Sequence, residues 1–328
     1  MRMCEMIHVQ ICAIALSTGI AAGESYVWPA PPDVARFAFV QSIDCKDLSP
    51  KVGALGKVAR WLGGSGESDR VSLPFDLVVR GADLFLVCQN IPALVQVDLK
   101  SATFRRIVDA GRTIQYPISL AASDDGTIFF TDSEARRVYR YQRGKIDPLI
   151  TDGLCRPTGI AVLSSQRRLL VVDTEDHSLL VFDFEGRLVR RVPGQGDSIS
   201  FHYPTFVAVT PSGQVLVNDA LNYQIKRFDA DGNFLGAFGN EGDTPGSFAR
   251  PKGIDVDSEG HIYVVDNLFD NFQVFDTSGR VLLSVGSAGQ EPGQFWSPAG
   301  IDIVGDTVYI ADTFNNRVQV FRYLGAGK

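Results

Sequence analysis

The chain is 328 residues long, 45% hydrophobic and 21% charged, with a formal net charge of −7. After removal of a leader, that length fits one large domain. The acidic balance argues against broad nucleic-acid binding, which needs basic surface to release counterions.

Residues 1–23 read as an export signal. Arg2 gives a thin positive start, Ile11 to Ala22 is apolar but too short to span a bilayer, and Ala21 and Gly23 suit cleavage before Glu24. The mature chain, 24–328, is therefore expected in a periplasm or outside the cell, with no transmembrane span; an uncleaved anchor is the alternative. Ala35 to Ile43 alternates like a strand, although no partner lies nearby in sequence. In the linker 44–73, Ser49-Pro50 reads as a helix cap and first residue. Val52, Leu55, Val58 or Ala59, and Leu62 then share one face until Gly63-Gly64, predicting a short amphipathic helix.

From Pro74 to Tyr323 the chain repeats itself. The lead prolines Pro74, Pro117, Pro157, Pro204, Pro251 and Pro298 stand 40 to 47 residues apart. After each comes an alternating apolar run, a turn, a second run ending in Asp, and a third run; all but the last unit add a fourth. Blade five shows the pattern in Pro251 to Val256, Ile262 to Asp266, Phe272 to Phe275 and Arg280 to Val285. Four short strands in each of six units predict an all-β, six-bladed β-propeller. The last unit stops after its third strand, so residues 35–43 are expected to pair with 317–323 and close the ring.

Two motifs carry a resemblance to a known family. One is Pro245-Gly246-Ser247-Phe248 with Pro251-Lys252-Gly253-Ile254, echoed by Pro292-Gly293-Gln294-Phe295 with Pro298-Ala299-Gly300-Ile301; the other is Asp312-Thr313-Phe314-Asn315-Asn316-Arg317. The repeats resemble NHL repeats over roughly residues 70–323, of the kind found in exported bacterial NHL proteins. The resemblance implies the fold and leaves function open, since such propellers include lyases, sensors and binding modules. Amidating lyases of this architecture hold zinc through histidines, and lactonases hold a cation through a Glu/Asn/Asp set in the channel. Here His177, His202 and His261 are dispersed, and no Glu stands out at an inner position.

Asp132, Asp173, Asp219, Asp266 and Asp312 recur once per blade and are read as acceptors for the backbone of the following turn. No metal-ligand spacing, nucleophile elbow or phosphate loop is present, and the glycines are assigned to turns that need positive φ. Cys88 replaces Asp in blade one; a Cys45–Cys88 disulfide and separate thiols both remain open. Individuality lies around the lead prolines, at the mouth of the channel: Tyr116, Arg156, Tyr203 and Arg250 before them, Lys252 after one, His202 and Trp296 a step further out. Arg pairs with carboxylates and aromatic rings give flat contact. The reading is a non-catalytic propeller that binds a protein, peptide or glycan through this face, without cofactor. The alternative is a lactonase-like lyase or hydrolase in the channel, with bound Ca or Zn.

Overall fold

A computed structural model describes residues 26–51, 70–193 and 199–325. Six antiparallel blades surround a channel, and each runs from an inner strand that opens on a lead proline to an outer strand. The inner strands are Pro74–Arg80, Pro117–Ala122, Pro157–Leu163, Pro204–Val209, Pro251–Val256 and Pro298–Val304. Proline is tolerated there because a strand's first residue need not donate to the ladder. Second strands such as Ile262–Asp266 are buried throughout, whereas outer strands such as Leu188–Val192 are largely exposed. The core therefore lies between blades. One cluster joins Leu170, Val172 and Leu179 of blade three to Val207, Val217 and Phe228 of blade four.

Each inner strand shifts register just after its proline, as between Pro251 and Ile254 or Pro298 and Ile301. This recurrent bulge bends the strand where it enters the channel. The Pro-x-Gly motif belongs to that bend. A Cβ on Gly253 would meet the Ala299 carbonyl oxygen at 2.4 Å, and one on Gly300 would meet Asp76 Oδ1 at 2.2 Å. These glycines serve close approach of neighbouring inner strands, which corrects their assignment to positive-φ turns; Gly260 (φ +87°) in the turn after Val256 does fit that assignment.

The N-terminal strand closes the ring. Phe37–Asp44 pairs antiparallel with Arg317–Tyr323 as the fourth strand of blade six, and Val27–Trp28 adds a fifth outside it. Phe37 is buried against Tyr263, Phe272 and Tyr323, which ties the closing strand to blade five as well. Ser49–Pro50 is not a helix start: it is a two-residue strand, parallel to the outer strand Thr103–Ile107 of blade one. The helix expected to follow lies outside the described residues, as do the expected leader and residues 52–69. No helix among the described residues is long and apolar enough to cross a membrane.

Candidate functional site

The aspartate column holds the mouth of the channel in shape. Tyr116 N–H and Gln115 N–H donate to Asp132, Arg156 N–H and Cys155 N–H to Asp173, and Arg250 N–H and Ala249 N–H to Asp266. His202 and Trp296 are tied the same way to Asp219 and Asp312. The carboxylates thus fix the segment entering their own blade as well as the turn that follows, where Ala135 and Leu268 N–H also donate. All five are fully buried.

Where the column bond to the residue before proline is absent, a neighbouring blade supplies it. Leu73, Tyr203 and Ser297 sit in the left-handed region at φ 52°, 62° and 55°, uncommon for non-glycine residues. Their N–H groups donate to Asn316 Oδ1, His177 Nδ1 and Asp270 Oδ1, respectively, each on the preceding blade. His177 and Asn316, which share a turn position in the repeat, therefore link blades.

Five of the sequence-selected residues gather on the arc of blades three to five. Arg156 Nη1 donates to Tyr203 Oη at 3.3 Å. The His177 ring lies 6.3 Å from that of His202 and 6.0 Å from that of Tyr203. Lys252 reaches towards the axis, its ammonium 5.4 Å from the centre of the Phe75 ring. Burial, then the nearby Arg250 and Arg156 guanidiniums, push its pKa down to about 8. Among the described residues no carboxylate lies within ion-pair distance of Arg156, Arg250 or Lys252. Tyr116 instead packs against the apolar cluster around Phe75 and Phe206, and Trp296 stands with Phe314 on blade six.

Phe75 and Phe206 come from opposite blades, with ring centres 6.3 Å apart, and stop the channel below the mouth. Beyond this plug a cavity of about 160 Å³ extends towards the opposite face, lined by Asp76, Arg80, Ser119, Ala208, Asp255 and Asp302 among others. Sequence reading missed its three carboxylates. Each also bonds to the next blade: Ser119 Oγ and Leu120 N–H donate to Asp76 Oδ2 at 2.7 and 3.0 Å, Ile303 N–H to Asp255 at 2.7 Å, and Val79 N–H to Asp302 at 2.8 Å. Burial pushes the Asp76 pKa up to about 7. Burial raises Asp255 and Asp302 too, and Asp255 rises further beside the Asp302 charge. Among the described residues, no three His, Cys, Asp or Glu side chains gather into a group able to hold a metal ion.

Cys45 and Cys88 are free thiols buried in one core at the seam of blades six and one, while Cys155 is exposed. Cys45 is anchored to blade six, its N–H donating to Asn316 O at 2.9 Å. Burial pushes the Cys45 pKa up to about 12 and raises that of Cys88 as well.

The ring, its plug and its repeated joints define a six-bladed propeller. Residues 154–182, 248–275 and 295–321, in blades three, five and six, match the NHL repeat, so the chain is a propeller that carries NHL repeats. No curated protein matches it in sequence. Solved structures share the fold. Virginiamycin B lyase from Staphylococcus aureus is 15% identical, with a TM-score of 0.58 over 77% of this chain and 96% of that one. A gluconolactonase from Xanthomonas campestris is 14% identical, with a TM-score of 0.60 over 87% and 98%. An auxiliary nutrient binding protein from Bacteroides thetaiotaomicron is 14% identical, with a TM-score of 0.62 over 78% and 70%. At such identities the likeness is one of fold.

Proposed function

We propose that this chain is an exported, non-catalytic recognition propeller that binds an anionic partner through the face carrying the lead prolines. One observation carries the reading: Arg156, Arg250 and Lys252 converge near the axis with no carboxylate within ion-pair distance among the described residues. Cations held close together on an acidic chain repel one another, and an incoming anion relieves that repulsion. Tyr203 and His202 supply flat polar contact beside them, and the Phe75–Phe206 plug gives the mouth a closed floor. The reading of residues 1–23 as an export signal supports an exported location.

The test is retention of a partner from fractionated native extract. Arg156→Ala with Arg250→Ala should abolish retention and leave the melting temperature unchanged, because both side chains are exposed. Unchanged retention would remove the assigned face. A second reading, a lyase or hydrolase working in the channel, is favoured by the buried carboxylates of the cavity, whose raised pKa values suit proton transfer. Those carboxylates are already engaged by backbone amides and do not converge into a cation set. Stoichiometric, tightly held Ca²⁺ or Zn²⁺ in purified protein would overturn the first reading in favour of the second.

A further inference from the structure

The recognition face is lopsided. Two residues beyond the column aspartate, at the tip of the turn after each second strand, blades four, five and six carry Leu221, Leu268 and Phe314, which are 47%, 58% and 45% exposed. The matching positions of blades one to three hold Asn90, Glu134 and Glu175. Trp296, 52% exposed, stands edge-on to Phe314 with ring centres 5.7 Å apart. The fold needs only backbone from these tips: Leu268 N–H donates to Asp266 Oδ1 at 3.0 Å and Phe314 N–H to Trp296 O at 3.1 Å, bonds that any residue but proline could make. The fold does not call for large apolar side chains at these tips, and exposed aromatic groups such as the Trp296–Phe314 pair are enriched at interaction surfaces. The cationic cluster lies beside this arc, since Arg250 and Lys252 belong to blade five, between Leu221 and Phe314.

We propose that this face docks an acidic polypeptide segment bearing an apolar anchor. The segment's carboxylates pair with Arg156, Arg250 and Lys252 at the mouth, and its aliphatic or aromatic side chain seats against Leu268, Phe314 and Trp296. The proposal rests on the mouth being the recognition face and narrows what is recognised there. Charge complementarity selects the acidic half of the partner. The aromatic pair, large and half-exposed, is the kind of group on which interface energy concentrates. A small anion or a sugar would leave the leucines uncovered. An RNA would stack on Trp296 and Phe314 but gain nothing from Leu221 and Leu268, and it would approach a chain of net charge −7.

The probe is a random dodecapeptide display library selected on the immobilised full chain, followed by fluorescence anisotropy with the recovered peptides. Recovered peptides should be rich in Asp and Glu around a Leu, Ile, Phe or Trp. Leu268→Ser with Phe314→Ser should weaken their binding about tenfold or more. Arg250→Ala should weaken it similarly and make it less sensitive to salt. Both changes are on exposed side chains, and unchanged melting temperatures would confirm intact folding. If the Arg variant loses binding and the Ser variants do not, the mouth reading stands and this inference fails. If neither matters, both fail. Enrichment of basic peptides, stronger retention of polyuridylate RNA, or self-association abolished by Phe314→Ser would also overturn it, the last by assigning the arc to a second copy of the chain.

Discussion

Asp76 accepts from the Ser119 hydroxyl and the Leu120 amide of the next blade, and burial raises its pKa to about 7. An unfolded aspartate titrates near about 4. Between those values the folded chain holds a proton that the unfolded chain has lost, so this group's contribution is complete below about pH 4 and fades as pH rises through about 7, a swing on the order of a few kcal/mol. Asp76→Asn should therefore show a smaller fall in melting temperature between pH 5 and pH 8 than the native chain. Thermal melts at the two pH values check this, and equal falls in both proteins would contradict it. The column aspartates were legible because they recur with the repeat; Asp76, Asp255 and Asp302 were not. They fall in blades one, five and six at positions filled in other blades by residues such as Ala121, Ala161 and Phe206. Only ring closure makes those three blades neighbours.

At the scale of elements, the alternation of residues 35–43 sufficed to foretell the closing strand, because its partner at the far end of the chain had an unpaired edge. Phe37 shows what that strand contributes. It is buried among Tyr263, Phe272 and Tyr323, so Phe37→Ala should cost about 3–5 kcal/mol, read as a lower urea midpoint with an unchanged slope. A change under 1 kcal/mol would mean that closure does not depend on this contact. Ser49-Pro50 misled for a physical reason: a serine before a proline suits a helix start, yet the same pair can lie along an exposed sheet edge, where the missing proline N–H faces away from the ladder. Lys51 N–H continues that pairing to Phe104 O at 2.7 Å. The Pro-x-Gly motif was visible in sequence, but its cause, the approach of the adjoining inner strand, required the ring.

For the whole molecule, the repeat supplies a rigid frame with two distinct ends. The lead-proline face gathers cations and half-exposed apolar tips; behind the Phe75–Phe206 plug lies an acidic cavity facing the other way. Recognition at the mouth and chemistry in the channel therefore concern surfaces separated by that plug. Hydrogen–deuterium exchange of the full chain with and without bound partner tells them apart directly. Recognition at the proline face should add protection in 154–158, 201–205, 248–252, 266–270 and 312–316. Protection confined to 76–80, 119–122 and 301–304, along the acidic cavity, would contradict it.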